Sequence, residues 1–238
     1  MRGGYPELRA KPNFDLATWC GSYIRLYIER DVRQLLNVAD LSTFARFVHL
    51  AAIRTGQILN ISDLARDTGV SVPTVSRWLS ILQSSYQVYL LQPYHANLSK
   101  RLIKAPKLYF GDTALASYLM GIRDPETLIQ GPFLGQLFET AVFLEHFKQT
   151  SFSGESAFFT YFRTKDGTET DLVIEAGGAL HLREIKTTRT IIPRLTESLI
   201  ATEKLLKRKT VKMVLAPVAT KTKLSGDVVV QPWHQVAW

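Results

Sequence analysis

Apolar and polar residues alternate most regularly in the C-terminal half of the chain. An aromatic run beginning at Phe158 is followed by a polar turn at residues 165–167 and by alternation through residues 170–175, which predicts a β-hairpin. A second turn at residues 177–178 leads into residues 180–186, where the period is again two residues, so a third strand is expected. This half of the chain therefore predicts a sheet.

The N-terminal half carries a helical pattern instead. Residues 61–84 predict a helix-turn-helix, because two amphipathic stretches flank Gly69, which can adopt the backbone conformation that such a turn needs. A further helix is predicted at residues 43–55, and strands are predicted at residues 86–93 and 102–110. This order of elements predicts a winged helix.

Three charged residues on the predicted strands form the most informative group. Asp171 lies on one strand, whereas Glu184 and Lys186 lie on the next strand and share one face. Two carboxylates at the ends of adjoining strands suit Mg²⁺, which prefers oxygen ligands and retains water for a phosphate and a nucleophile. Lys186 could orient or help deprotonate the attacking water, or neutralise charge in the transition state. The group predicts a site for phosphodiester cleavage that depends on Mg²⁺ or Mn²⁺.

The spacing of these residues is common by itself, because charged residues make up 21% of the chain. A loose pattern of two carboxylates and a lysine therefore also occurs in ordinary exposed strands. The neighbouring acids Asp166, Glu169 and Glu175 are expected to be solvated. Arg163 or Arg189 could hold a phosphate, and each could equally be a surface cation.

The pattern of Asp171 followed by Glu184, Ile185 and Lys186 resembles the PD-(D/E)XK nuclease superfamily, which has the restriction-endonuclease-like fold. That superfamily places an aspartate on one strand and Glu-x-Lys on the next. Thr170 stands where its motif has proline, a common departure that is compatible with metal binding. The resemblance implies a mixed sheet flanked by helices, with Asp171 and Glu184 as metal ligands.

The same superfamily opens its core with a helix that bears a glutamate, and residues 132–149 are the candidate helix. Glu139 lies among apolar residues there, where a buried acid is costly unless it is paired or bound to metal. The resemblance thus makes Glu139 a third candidate ligand, and a structural salt bridge is the alternative. His146, on the same helix, is expected to be a core or surface histidine rather than part of the site.

The predicted helix-turn-helix offers few positive charges to DNA. Its second helix presents Thr74 and Arg77, and one cation is little for a protein that must neutralise phosphates. The predicted wing is more basic, and it contains Lys100, Arg101, Lys104 and Lys107. The winged helix could therefore grip DNA. It could equally dock a protein or act as a spacer, with its basic hairpin simply solvated.

Composition favours a polyanionic partner such as DNA, since the net charge is +8 and the sequence pI is about 9.6. No apolar run is long enough to span a membrane and no basic amphipathic helix is present, so we expect no membrane association. The single cysteine, Cys20, excludes an intramolecular disulfide and, with no signal peptide visible, favours a cytoplasmic location. Five scattered histidines and one cysteine give no zinc-ligand spacing.

Short segments spread over the sequence carry a second resemblance. They are residues 3–7 (GGYPE), 27–32 (YIERDV), 54–57 (RTGQ), 98–101 (LSKR), 107–113 (KLYFGDT), 135–140 (GQLFET), 167–171 (GTETD) and 184–186 (EIK). Together they resemble one bacterial and archaeal family in which an AAA+ ATPase precedes a C-terminal region of unknown function. That C-terminal region comprises a winged helix and a restriction-endonuclease-like fold.

The family resemblance implies that the chain is an excised part or a truncated product of a longer protein, in which the ATPase domain comes first. The chain contains no Gly-x-x-x-x-Gly-Lys-Ser/Thr loop, so we expect no ATPase activity from it alone, and ATP would act only through the preceding domain. Residues 23–31 are the expected connection to that domain. For the RTGQ segment, the residues predict only a helix stop at Gly56.

The predicted fold class is α/β, with a helical connector at residues 1–42, a winged helix at residues 43–110 and a nuclease-like mixed sheet at residues 111–238. The predicted function is divalent-metal-dependent DNA cleavage, with an AAA+ ATPase as the partner in the full-length protein. One alternative is a non-catalytic module that binds DNA or protein. Another is a transcriptional regulator that reads duplex DNA through Arg77. No oligomeric state is predicted.

Overall fold

The computed structural model describes residues 2–32, 41–94 and 102–235, apart from the side chains of Glu29 and Asp31. Over these residues the chain is a mixed α/β protein, which confirms the predicted fold class. It divides into two compact units, which consist of Met1–Leu90 with Leu108–Thr140 and of Leu91–Lys107 with Ala141–Trp238. In the part of the chain that is described, every helix is too short or too polar to cross a membrane.

The first unit is mainly helical. Its helices are α1 (Pro6–Ala10), α2 (Leu16–Leu26), α3 (Leu41–Ile53), α4 (Ile61–Thr68), α5 (Val72–Ser84), α6 (Thr113–Leu119) and α7 (Pro125–Gln130), and a π-helix (Tyr27–Val32) follows α2. A small sheet contains β1 (Gln57–Ile58), β2 (Val88–Leu91) and β3 (Lys107–Phe110) in the order β1-β3-β2. The end residues Leu91 and Lys107 of this sheet are counted with the second unit.

The local sequence explains where α4 and α5 begin and end. Asn60 caps α4, because its side chain accepts a hydrogen bond from the backbone amide three residues on. Gly69 follows α4 with a φ of 79°, a left-handed conformation that glycine adopts without steric cost. Ser71 caps α5 in the same way as Asn60 caps α4. The two helices predicted at residues 61–84 are therefore confirmed.

Aromatic residues bring α3 and α5 together in the core of the first unit. The Trp78 ring of α5 lies 5.2 Å from that of Phe44 and 5.3 Å from that of Phe47, measured between ring centroids. Such pairs add stabilisation beyond the area that they bury. The helix predicted at residues 43–55 is confirmed as α3, with bounds shifted by two residues.

The turn after α3 holds β3 in place within the first unit. The Thr55 hydroxyl accepts a hydrogen bond from the amide of Phe110 at 2.9 Å and shares another with the hydroxyl of Thr140, also at 2.9 Å. The amide of Gly56 donates to the carbonyl of Leu108 at 2.7 Å. The RTGQ segment thus does more than end a helix, because it joins three elements through buried hydrogen bonds.

Asp112 connects two segments that are distant in sequence. One carboxylate oxygen caps α6 by accepting from the amide of Ala114 at 2.8 Å, and the other accepts from the amide of Gly4 at 2.6 Å. The preceding Gly3 has a φ of 60°, and a Cβ at this position would lie 2.2 Å from Asp112 Oδ1. The absence of a Cβ at Gly3 therefore allows the Asp112 carboxylate to approach the N-terminal segment.

The second unit is built on a six-stranded mixed sheet. Its strands are β4 (Ala157–Arg163), β5 (Glu169–Ala176), β6 (Ala179–Ile185), β7 (Thr210–Ala216), β8 (Thr222–Lys223) and β9 (Val228–Pro232), in the order β4-β5-β6-β7-β9-β8. The β6–β7 and β7–β9 pairs are parallel, and the other pairs are antiparallel. Its remaining elements are α8 (Leu134–Ser153), which begins in the first unit, α9 (Glu197–Leu206), and 3-10 helices at Pro193–Thr196 and Ser225–Asp227.

Both turns predicted in this half are present. Residues 165–167 connect β4 to β5, and Gly177 and Gly178, with φ of 57° and 74°, connect β5 to β6. Helix α9 lies between β6 and β7 in the chain, as a parallel crossover requires. Its Leu199 packs with Val173 and Leu182 in the core.

The two compact units alternate along the sequence, whereas the sequence pattern predicts consecutive segments at residues 1–42, 43–110 and 111–238. Helices α6 and α7 and the start of α8 belong to the first unit, whereas Leu91–Lys107 belongs to the second. The strand predicted at residues 102–110 begins only at Lys107, because the residues before it pair with the edge of β4 instead. Of the helical connector predicted at residues 1–42, residues 33–40 lie outside the described residues.

Candidate active site

Asp171 lies at a β-bulge in β5. Thr160 pairs with Val173 and Phe162 pairs with Thr170, so two steps along β4 correspond to three steps along β5. The extra residue of β5 therefore falls at Asp171 or the residue after it. A bulge redirects the side chains beside it and is frequent next to active sites.

The bulge gives neighbouring side chains different partners. The Thr170 hydroxyl shares a hydrogen bond of 2.8 Å with the hydroxyl of Thr202 in α9, and both residues are fully buried. Asp171 is buried as well, and its Oδ2 accepts a hydrogen bond from the backbone amide of Ile185 at 2.8 Å. Thr170, which stands at the proline position of the PD-(D/E)XK motif, thus joins β5 to α9. Asp171 is held instead against the end of β6.

Glu184 is the second buried carboxylate of the site. Lys186 Nζ lies 2.6 Å from Glu184 Oε1, whereas Oε2 is buried and has no hydrogen-bond partner among the described residues. Burial and, next, the charge of Asp171 raise the pKa of Glu184 to about 8, while Lys186 and Ser198 oppose the shift. The structure therefore brings Asp171, Glu184 and Lys186 together, as the sequence predicts.

Lys107 and Glu169 also belong to this cluster. The Lys107 side chain is only 3% exposed, and its Nζ lies 2.7 Å from Glu169 Oε1 and 3.5 Å from Asp171 Oδ1. Arg163 Nη1 lies 3.0 Å from the other oxygen of Glu169. Glu169 was expected to be solvated but is paired on both oxygens. Lys107 was expected on an exposed wing but is buried beside Asp171, so its ammonium group is withdrawn from solvent.

Backbone pairing before β3 brings Lys107 to the site. The amide of Ile103 donates to the carbonyl of Arg163 at 3.0 Å, and the Tyr161 hydroxyl donates to the carbonyl of Ala105. Lys107 Nζ then lies over the Tyr161 ring, 5.6 Å from its centroid, at a distance that favours a cation–π contact. This pairing joins residues far apart in sequence, so no local pattern predicts it.

The carboxylates of Asp171 and Glu184 suit a cation that keeps further coordination positions for water or phosphate. Mg²⁺ is commonly held by one or two carboxylates, with water and phosphate oxygens in its other positions. Glu184 Oε2 offers an unused buried oxygen next to Asp171. Within the described residues, no group of three or more His, Cys, Asp or Glu side chains could hold a metal ion. Two carboxylates suit an ion that keeps much of its own water.

Glu139, the third candidate ligand, lies on α8 in the part counted with the first unit. The hydroxyl of Tyr109 donates a hydrogen bond to Glu139 Oε1 at 2.5 Å. Glu139 is only partly buried, unlike the buried acid that the sequence predicts, and this hydrogen bond satisfies one of its carboxylate oxygens. Metal ligation by Glu139 stays a prediction.

His146 lies farther along α8 and is a core histidine, as expected. It is 1% exposed, and its Nδ1 lies 3.0 Å from the carbonyl of Val142. Burial and the nearby charge of Arg183 lower the pKa of His146 to about 4. Arg183 itself is fully buried, and its Nη2 lies 3.3 Å from Nδ1 of His181.

The residues predicted to contact DNA are distributed over the first unit and the segment before β3. Arg77 is exposed on α5, and Thr74 is half-buried and shares a hydrogen bond of 2.8 Å with Ser71. Lys104 is exposed. Two further candidates, Lys100 and Arg101, lie outside the described residues.

Comparisons with known proteins place the chain among families whose function is not known. Residues 134–236 match the family described as Domain of unknown function (DUF4143), and residues 1–126 match Domain of unknown function (DUF8612). No solved structure matches the chain.

Two curated proteins are similar to the chain over most of its length. Uncharacterized protein Mb2031c of Mycobacterium bovis and Uncharacterized protein Rv2008c of Mycobacterium tuberculosis are each 34% identical to it over 200 residues. The matched region is 84% of this chain and 44% of each relative, so the chain spans less than half the length of these relatives. Since the match over residues 1–126 covers more than half of the chain, the chain belongs to the DUF8612 family.

Proposed function

We propose that the chain is the DNA-processing part of an AAA+ ATPase and that its second unit is a divalent-metal-dependent DNA nuclease of the PD-(D/E)XK type. One observation carries the proposal. Asp171 and Glu184 are buried carboxylates on adjoining strands, Glu184 retains an unpartnered oxygen, and Lys186 Nζ lies 2.6 Å from its other oxygen. The spacing of these residues and the resemblance to the superfamily support the same chemistry.

Each residue of the group has a role in this proposal. Asp171 and Glu184 hold Mg²⁺ or Mn²⁺. The ion, when bound, supplies a Lewis acid that polarises a phosphoryl oxygen and lowers the pKa of a bound water. The Lys186 side chain is 42% exposed, so its ammonium group can contact Glu184 and also face a substrate. From this position the Lys186 ammonium group orients the attacking water or neutralises charge on the phosphate.

The first unit supplies the DNA contact in this proposal. The order α3-β1-α4-α5-β2-β3 is that expected of a winged helix, with α5 as the recognition helix. Arg77 is exposed on α5 and would contact a phosphate or a base edge. We expect Arg77→Ala to weaken duplex binding and, if the contact is to phosphate, to reduce the salt dependence of binding by about one ion.

A cleavage assay tests the nuclease. Single-stranded, duplex and branched DNA would be incubated with the protein in Mg²⁺, Mn²⁺ or a chelator. Asp171→Ala and Lys186→Ala are the test variants, and Asp166→Asn, an exposed carboxylate in the β4–β5 turn, is the matched control. We expect cleavage that needs metal, persists in the control and is lost in both test variants. Circular dichroism would confirm that each variant is folded.

A non-catalytic module that binds DNA or protein is the second candidate. This candidate is favoured by the lysines, because Lys107 lies within ion-pair distance of Asp171 and Lys186 lies within ion-pair distance of Glu184. Absence of cleavage together with absence of Mn²⁺ binding at Asp171 would support this module over the nuclease. Mn²⁺ binding without cleavage would instead indicate that the ATPase part of the full-length protein is needed.

A further inference from the structure

We propose that Lys107 is an internal counter-ion that competes with a divalent cation for Asp171 and so sets how tightly the site binds metal. The inference rests on the proposed function, because it takes Asp171 to be a metal ligand. Lys107 is a positioning residue in this scheme, since it acts through Asp171 and touches neither substrate nor the reacting atoms.

The two oxygens of Asp171 are used differently. Oδ2 accepts the hydrogen bond from the Ile185 amide, which occupies one of its lone pairs, so Oδ1 has the larger capacity for a cation. Lys107 Nζ lies 3.5 Å from Oδ1. An ammonium group has no lone pair to offer a metal and repels a second cation at short range. A metal ion that binds Oδ1 must therefore displace the ammonium group or share the carboxylate with it.

Glu169 is a second ion-pair partner for Lys107. Lys107 Nζ is closer to Glu169 Oε1, at 2.7 Å, than to Asp171 Oδ1. Arg163 lies 3.0 Å from the second oxygen of Glu169. A small movement of the ammonium group toward Glu169 would free Asp171 for a cation. The ion pair with Glu169 thus determines how easily the Lys107 ammonium group can move away from Asp171 Oδ1.

When every group is ionised, the cluster carries as many cationic as acidic groups. Its acids Glu169, Asp171 and Glu184 face the cations Lys107, Arg163 and Lys186. A divalent cation entering this balanced group adds uncompensated positive charge, which opposes metal binding. Lys107 contributes most directly among these cations, because it is buried and its field is little screened by water.

Two variants test the competition in opposite directions. Lys107→Met keeps a long apolar stem and removes the charge, so we expect Mn²⁺ to bind about tenfold more tightly to the DNA-free protein. Glu169→Gln weakens the other partner of Lys107, so we expect several-fold weaker binding. Isothermal titration calorimetry would measure both affinities. Lys165→Met, an exposed lysine in the β4–β5 turn, is the control and should leave the affinity unchanged.

The outcomes separate this inference from the proposed function. Opposite shifts in the two variants support the counter-ion, because a general loss of structure would weaken binding in both. If wild-type protein binds Mn²⁺, Asp171→Ala abolishes that binding and folded Lys107→Met binds no more tightly, the inference is overturned and the metal site stands. Absence of Mn²⁺ binding in both wild type and Lys107→Met overturns both. Should Lys107→Met fail to fold, Lys107→Gln replaces it, with the same criteria.

Discussion

The backbone amide of Ile185 donates a hydrogen bond to Asp171 Oδ2 over 2.8 Å, so a candidate ligand on β5 is fixed by the neighbouring strand β6. This contact fixes the position of the Asp171 carboxylate relative to β6. The antiparallel register of β5 and β6 brings Asp171 close to Glu184, and the charge of Asp171 contributes to the raised pKa of Glu184. The carboxylates are therefore pre-arranged by the sheet.

Asp171→Asn should lower the pKa of Glu184 in metal-free protein. The substitution retains an oxygen for the Ile185 amide and removes the charge that contributes to the raised pKa. The pKa should remain above its ordinary value, because burial is the larger cause. Carboxyl NMR titration in the presence of a chelator would measure the shift. An unchanged Glu184 titration in Asp171→Asn, matching that of Asp166→Asn, would contradict the coupling.

Glu184 should make the metal-free protein less stable as the pH rises. Its folded pKa, about 8, lies above the ordinary value of 4.5, so the folded state favours the protonated acid. Its contribution is therefore fully present below pH 4.5 and is lost as the pH rises toward 8. The loss is at most roughly 5 kcal/mol in the free energy of unfolding. Urea unfolding of wild type and Glu184→Gln over this pH range would isolate the contribution of Glu184 to stability. Parallel pH profiles of the two proteins would contradict that contribution.

His146 should make the protein less stable as the pH falls, which is opposite to the effect of Glu184. Its folded pKa is lowered to about 4 from 6.5, so the folded state favours the neutral ring. The contribution of His146 to the free energy of unfolding is fully present above pH 6.5. It is lost as the pH falls toward 4, and the loss is at most roughly 3 kcal/mol. Replacement by glutamine, His146→Gln, should remove this part of the acid dependence. Thermal or urea unfolding between pH 4 and 7 would show it, with His49→Gln as a comparison on the first unit.

Thr55→Val should destabilise the protein by about 2 kcal/mol, because it leaves the buried amide of Phe110 without its hydrogen-bond acceptor. Valine has nearly the same volume as threonine, so packing is little changed. The free energy of unfolding in urea would be compared with that of Ser76→Ala, which removes an exposed hydroxyl from α5. Equal stability of the two variants would show that the Thr55 network contributes little.

Local patterns predicted the elements that local forces determine. Gly69 and Ser71 signal the turn and the start of α5, because glycine and a capping hydroxyl act within a few residues. Alternation identified β5 and β6, and adjacency of these strands was enough to bring Asp171 near Glu184. Those predictions needed only the chain's own periodicity.

Contacts between distant segments were not predictable from these patterns. Lys107 reaches the cluster through backbone pairing between the segment before β3 and β4, so its sequence context suggested an exposed wing instead. Glu169 was expected to be solvated for the same reason, since its partner Lys107 is far away in sequence. The bulge at Asp171 also escaped prediction, because one additional residue scarcely disturbs an alternating pattern.

The segment that carries Lys107 also bears on how the protein behaves at high concentration. Strand β4 is at one end of the six-stranded sheet, where exposed backbone groups could pair with another molecule. The amide of Tyr94 donates to the carbonyl of Tyr161, and the amide of Ile103 donates to that of Arg163. These bonds cover part of that edge. Because these bonds occupy part of that edge, fewer of its backbone groups are left to pair with another molecule.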